Sequence, residues 1–390
     1  MSVALRAVDL TRARVVGSLR GSIHAAVRTA VFILKMTPLR RNPIDRLTEQ
    51  PLIEAFTYST DAGRGEAQLY RPRSSGPHPA VVVALGILPV DYTHPMVASL
   101  GEGLARAGFA ALLLWSPTMR DLRLDPRPVR ELASAYEALI AQPFADATRS
   151  GLLGVCVGAS YALIAAADRR IRDRVRFVFA YAAYSSIWTL AVDIASASRT
   201  LGLTREPWDV DPLTWKTYVR SVTDWLAPEE ARRLREAFED RIAWNATKTV
   251  IVHSPPKARL DPSELSDDAA AVLRLLRAGA DDVDAALRAL PPRAKALLTA
   301  MSPLTYVADI TAPRIMLLHD RYDHVIPVGE SRRLWDAVSG RPGATYAELG
   351  LRHLRMPNGL SPVRVVRELG KAYLAWYPLF RETAAGLRRP

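Results

Sequence analysis

The chain is poor in cysteine: Cys156 is the only one in 390 residues. That excludes an internal disulfide and leaves no basis for a cysteine-built metal site. It suits a reducing compartment, and a cytoplasmic location is expected. Long apolar runs are also missing. No stretch approaches the roughly 18 consecutive apolar residues of a membrane-spanning helix. Acids are scarce beside bases, 40 Asp and Glu against 52 Lys and Arg, a formal net charge of +12. Yet there is no zinc-finger spacing, no aromatic–basic RNA motif and no P-loop to turn that charge into nucleic-acid or nucleotide binding. It reads as an arginine-rich solvated surface, and no nucleic-acid partner is expected. Internal repeats and low-complexity tracts are absent too. What remains is a globular composition, 49% hydrophobic and 24% charged. It is long enough for one large α/β domain with an insertion.

The N-terminal 41 residues carry one acid, Asp9, among many arginines. Their apolar centre, Ala30 to Leu34, is short and flanked by Arg28 and Lys35, too polar for a secretory leader. An amphipathic arm over residues 1–50 is expected, lying on the body or on a membrane surface. From Phe56 to Pro72 a period-two pattern surrounds the turn Asp61–Gly65, which predicts a hairpin. Continuous apolar runs follow at Ala80–Leu85, Phe109–Trp115, Ser150–Val155 and Val175–Ala182, the pattern of strands buried on both faces. Helical patterns at Met96–Ala107, Arg127–Ala141 and Ser160–Asp168 separate them. This alternation predicts an α/β fold, a doubly wound, mostly parallel sheet with right-handed crossovers. It stops near Ser185. Helical patterns then predominate at Trp188–Leu201, Leu213–Trp225, Pro228–Trp244, Asp267–Ala278 and Val283–Met301, broken by the short apolar run Thr249–Val252. The alternation resumes with a strand at Arg314–Leu318, a helix at Glu330–Val338, a strand at Thr345–Leu349 and a helix near Val363–Trp376. The organisation expected is therefore a core over 51–184 and 309–390, with 185–308 inserted as a helical lid.

The strongest chemical signal is Gly154-Val155-Cys156-Val157-Gly158, between a buried strand and a helix. A sharp strand-to-helix turn thrusts its central side chain above the sheet and needs small residues on either side. Cys156 is then the nucleophile. The dipole of the following helix favours its thiolate, and the Val157 N–H is aimed at an oxyanion. The frame Gly158-Ala-Ser160-Tyr-Ala162 is the weaker alternative. A thiol needs a base, and the base an orienting carboxylate, in the chain order nucleophile, acid, histidine. Asp323 follows the strand at Arg314–Leu318, with Asp320 as its neighbouring alternative. His353 follows the strand at Thr345–Leu349. In the loop Leu85-Gly86-Ile87-Leu88-Pro89 the Ile87 N–H is the second oxyanion donor, and Gly86 and Leu88 border the substrate. Trp188, Leu190, Trp215, Tyr218 and Trp225 are candidates for an acyl-binding wall on the lid. His94, His319 and His324 are candidates to line the cleft, whereas His24, His78 and His253 fall outside the sheet's C-terminal edge.

With Leu69-Tyr-Arg-Pro and Gly76-Pro-His-Pro-Ala-Val-Val, these residues resemble the dienelactone-hydrolase branch of the α/β-hydrolases. The resemblance covers about Phe56–Ser185 and Ala312–Trp376. It implies a Cys-Asp-His triad on Cys156, Asp323 and His353. The glutamate that branch carries in the loop after the first core strand is absent from Gly86–Asp91. The elbow, Asp323-His324-Val325-Ile326-Pro327 and the inserted segment also resemble the polyhydroxyalkanoate synthases. The function expected is hydrolysis of an ester, lactone or thioester through a thioacyl enzyme, with a small acyl substrate and neither cofactor nor metal. Acyl transfer or polyester synthesis by the same cysteine, and a non-enzymatic binding protein on the same scaffold, remain alternatives. Oligomeric state stays open.

Overall fold

The computed structural model describes residues 2–37, 39, 41–87, 92–201, 204–239, 241–245, 248–252, 260–350 and 362–384. Eight strands form one sheet: β1 (Leu52–Thr60), β2 (Gly63–Arg71), β3 (His78–Ala84), β4 (Ala110–Leu114), β5 (Ala145–Val155), β6 (Phe177–Tyr181), β11 (Arg314–Asp320) and β12 (Ala344–Leu349). Their order is β1-β2-β4-β3-β5-β6-β11-β12. The β1–β2 and β2–β4 pairs are antiparallel, and every other pair is parallel. The central strands are buried along their length because helices cover both faces, as their unbroken apolar runs require. After β3 the chain goes to β4 on one side and β5 on the other. This reversal opens a crevice at the carboxyl ends of β3 and β5, where open α/β sheets bind ligands.

Fourteen α-helices are described. Before the insertion they are α1 (Ser2–Met36), α2 (Ile44–Leu47), α3 (Pro95–Arg106), α4 (Pro117–Arg120), α5 (Arg127–Ile140) and α6 (Val157–Ala165). Residues 185–308 hold α7 (Ile187–Ala195), α8 (Pro212–Thr223), α9 (Pro228–Phe238), α10 (Asp267–Arg277), α11 (Val283–Ala289) and α12 (Pro292–Ala300). α13 (Val328–Val338) and α14 (Pro362–Glu382) complete the core. The arm lies on the body. Phe32 of α1 packs 4.4 Å from the Trp376 ring of α14, which in turn stacks at 3.9 Å on Phe179 of β6. Buried Arg28 bonds the Ala107 and Thr383 carbonyls and lies over the Phe109 ring. No described helix is long and apolar enough to cross a membrane.

The inserted segment is less helical than expected, although the apolar run Thr249–Val252 that interrupts the helical patterns does fall in a strand. The helix predicted over Trp188–Leu201 stops at Ala195, because Ala197 turns to φ 44° and a hairpin of β7 (Ser198–Leu201) and β8 (Thr204–Pro207) follows. The one predicted over Pro228–Trp244 stops at Phe238, where Glu239 becomes extended, and β9 (Arg241–Asn245) pairs with β10 (Lys248–Val252). The one predicted over Val283–Met301 is two helices, parted at Pro291-Pro292, where a missing N–H and ring sterics end the first.

Candidate active site

The site is built on the turn from β5 to α6. Cys156 sits there at φ 56° and ψ −131°, a region that side chains rarely enter. Its N–H donates to the Tyr181 carbonyl at 2.8 Å, and its own carbonyl accepts from Ala159 N at 2.9 Å. The flanking glycines are sterically required. A Cβ on Gly154 would stand 2.3 Å from the Ala159 Cα, and one on Gly158 would stand 2.2 Å from the Ala84 carbonyl oxygen. Gly86, at the end of β3, is pressed on the cysteine itself: its Cβ would meet Cys156 Cβ at 2.8 Å. Gly86 therefore fixes the place of the Cys156 side chain. Ile87 and Val157 line the same cleft as Cys156.

Burial works against the thiolate expected at Cys156. Burial pushes the Cys156 thiol up to about 12, and the negative charge of Asp323 pushes the same way. The Val157 N–H opposes them and is outweighed. The thiol needs a base.

Asp323 is wholly buried just beyond β11. Its Oδ1 accepts from Val325 N at 2.7 Å and Ile326 N at 3.1 Å. Its Oδ2 lies 3.8 Å from the His319 Nε2. The ring nitrogens of His319 are engaged by Ser331 Oγ at 2.6 Å and the Ile326 carbonyl at 3.0 Å, so this buried histidine braces the Asp323 loop from beneath. Asp320 accepts the Tyr181 hydroxyl in the interior. His324 is exposed, and His94 caps α3. Ser160 is fully buried. It donates to the Tyr184 carbonyl at 3.0 Å and accepts from Tyr184 N at 2.9 Å, so it ties α6 to the end of β6 and is no nucleophile. His353, Leu88 and His253 lie outside the described residues.

A small cleft lies above Cys156. α7 turns Ile187, Leu190, Ala191 and Ile194 toward it, α8 adds Thr214, Thr217, Tyr218 and Ser221, and Val325 and Ile326 close the side by Asp323. None of the described lining residues carries a charge. The expected acyl wall needs correcting. Leu190 and Tyr218 belong to it, but Trp188 lines a separate hollow behind α7 with Asp193, Arg205 and Arg333. Trp215 turns its indole N–H to the Phe238 carbonyl at 2.9 Å, and Trp225 lies under Arg293. Because α7 is apolar almost all round, its sequence does not say which face meets the cleft. Sequence reasoning missed the polar row on α8. The signal was there: Thr214, Thr217, Tyr218 and Ser221 fall at i, i+3, i+4 and i+7, one face of a helix. It also missed Glu330. This buried side chain accepts from Ser185 N at 2.7 Å and Ser186 N at 3.2 Å, where the chain leaves the sheet for the inserted segment.

No family model matches the chain. The probable 2-oxo-3-(5-oxofuran-2-ylidene)propanoate lactonase of a Bradyrhizobium species is 36% identical over 145 residues, 33% of this chain and 57% of that protein. The match thus spans little more than half of that relative. Among solved structures, the acylaminoacyl peptidase of Pyrococcus horikoshii aligns with a TM-score of 0.51 at 13% identity, over 89% of this chain and 44% of that one. An acylaminoacyl peptidase in complex with Z-Gly-Gly-Phe-chloromethyl ketone gives 0.50 at 13% identity, over 88% and 43%. At such identity the likeness is one of fold. With the strand order and the elbow, it identifies the fold as that of the α/β-hydrolases.

Proposed function

We propose that the chain is a hydrolase of carboxylic esters, lactones or thioesters, akin to the dienelactone-hydrolase branch and working through Cys156, Asp323 and His353. The observation that carries this reading is the sole cysteine held at positive φ on the elbow, with buried Asp323 close enough to raise its affinity for the proton. A resting thiol can attack only as its proton leaves. His353, the histidine that chain order supplies, takes that proton, with Asp323 orienting the ring. The sulfur bonds to the carbonyl carbon, and the N–H groups of Val157 and Ile87 hold the oxyanion. On collapse the leaving oxygen or sulfur departs with the proton from His353, giving a thioacyl enzyme. Water, deprotonated by His353, then releases the acid and restores the thiol.

The lactonase relative supports an acyl–oxygen bond as target. Its named substrate is a propanoate, which carries a carboxylate. The described lining of this cleft is uncharged, which supports a neutral acyl group. The apolar wall also favours acyl transfer from the same thioacyl enzyme to an alcohol or thiol.

Hydrolysis of a short p-nitrophenyl ester before and after iodoacetamide treatment tests the reading, since the reagent meets one thiol in the chain. Loss of turnover on alkylation supports it, and survival moves the nucleophile elsewhere. No turnover in either sample, together with acyl transfer to an added thiol acceptor, establishes the transferase. A ligand bound equally by wild type and Cys156→Ala, with no turnover of any kind, identifies a binding protein.

A further inference from the structure

Four hydroxyl-bearing residues on one face of α8 line an otherwise apolar cleft. Two of them are used inside the protein. Thr214 Oγ1 donates to the Val325 carbonyl at 2.8 Å, and Ser221 Oγ donates to the Thr217 carbonyl at 2.6 Å while accepting from Leu124 N at 3.0 Å. The other two are not. Thr217 Oγ1 and the Tyr218 hydroxyl are buried and make no hydrogen bond among the described residues. Both residues are only 7% exposed. Burial alone raises the affinity of Tyr218 for its proton, and no charged group contributes.

An unpaired buried hydroxyl is costly, and folded proteins rarely keep one without a reason. Here two adjacent residues that line the cleft leave one each. Cys156 stands in the same cavity. A wholly apolar acyl chain would leave both hydroxyls unpaired, and a charged one would enter without a countercharge. A neutral chain carrying a hydrogen-bonding oxygen satisfies both hydroxyls and the described lining.

We propose that Thr217 and Tyr218 are substrate-recognition residues that select an uncharged, mainly apolar acyl group bearing a hydroxyl, keto or ether oxygen away from the scissile carbonyl. This rests on the reading of Cys156 as the nucleophile of that cleft. A site built to hydrogen-bond an oxygen discriminates sharply against the analogue that lacks it, because its own polar groups are then left unpaired. Each lost bond is worth about tenfold.

The test uses three p-nitrophenyl esters of one chain length: a plain alkanoate, its analogue with one methylene replaced by oxygen, and the half-ester of a dicarboxylic acid. With the wild-type chain, kcat/KM is expected to be about 10- to 100-fold higher for the oxygenated ester than for the plain one, and lowest for the half-ester. Thr217→Val and Tyr218→Phe keep the side-chain shapes. Each is expected to cut the oxygenated-to-plain ratio about tenfold, and the double variant to bring it near one. An alkylation-sensitive turnover whose ratio ignores both substitutions, or which favours the half-ester, overturns the proposal and leaves Cys156 in place. Turnover that survives alkylation overturns the reading beneath it. Methyl ketones with the same plain and oxygenated chains, titrated calorimetrically into wild type and the single variants, read the preference without turnover. Equal affinity for the two ketones in the wild type also overturns the proposal.

Discussion

At the floor of the cleft, backbone meets backbone. Gly154, Gly158 and Gly86 leave no room for a Cβ, and Cys156 is held at φ 56° by a hydrogen bond to the neighbouring strand. The roof, residues 185–308, meets the same cavity through side chains alone, those of α7, α8, Leu298 and Met301. Glu330 holds its start at Ser185 and Ser186, and α8 is tied to the core by Thr214 on the Val325 carbonyl, Leu124 N on Ser221 and Arg123 on Asp224. A close-packed backbone tolerates almost no change, whereas a side-chain wall can be retuned residue by residue. The proposed function puts chemistry on the floor and substrate choice on the roof, and substitutions in the two should then fail in different ways.

The largest effects should come from the floor. Cys156→Ala is expected to reduce kcat/KM on a p-nitrophenyl ester to the uncatalysed background, and Asp323→Asn to lower it by about 10³ to 10⁴, with the thermal midpoint little changed in the first variant. His353→Ala should lower it by about 10² to 10⁴ and should also alter alkylation. With the thiol raised to about 12, iodoacetamide modification without a base should climb with pH and show no plateau below pH 9. The wild type should show an added shoulder near the ordinary histidine range. Identical alkylation profiles for wild type and His353→Ala would remove His353 from the mechanism.

Gly86→Ala comes next and tests whether the floor acts through geometry. The new Cβ would lie 2.8 Å from both Cys156 Cβ and the Val155 carbonyl, neither of which can retreat without moving the elbow. A displacement near 1 Å at the nucleophile costs about 10²-fold in rate. The variant should fold, bind the methyl-ketone probes and turn over slowly. Unchanged kcat would mean that the loop after β3 shifts instead.

The same contrast explains what the sequence made legible. Buried parallel strands read as continuous apolar runs, so β3, β4, β5, β6 and β11 fall close to their expected places. The elbow is legible because its geometry demands small residues at fixed offsets from Cys156. In the inserted segment no such demand exists. The β7–β8 hairpin depends on cross-strand pairs such as Ser198 with Pro207 and on Arg205 reaching back to Ser196 and Ser198, contacts that leave no periodic trace. By sequence Trp188 is as good a candidate for the cleft as its neighbours, yet the rotation of α7 is set by packing and gives that place to Ile187 and Leu190.

The smallest effect separates the two faces of α7. Toward the cleft it is apolar. Toward the hollow behind, it buries Asp193 at 2% exposure, with the nearest guanidinium nitrogens, on Arg205 and Arg333, each 3.7 Å away. Burial, helped by the charge of Glu330, wins over these distant partners and lifts the Asp193 carboxyl from 3.8 to about 6. The sign follows from proton counting. Between pH 4 and 6 the folded chain holds a proton there that the unfolded chain has released, so this group makes stability fall as pH rises through that window. At pH 7 the residual cost is at most about 3 kcal/mol, one pKa unit being 1.36 kcal/mol. Asp193→Asn should therefore raise the thermal midpoint at pH 7.5 and leave it nearly unchanged at pH 4, while the oxygenated-to-plain ester ratio, set on the opposite face, stays as in the wild type. A lower midpoint at pH 7.5 would mean that the two arginines outweigh burial, and a changed ester ratio would mean that the two faces of α7 are coupled.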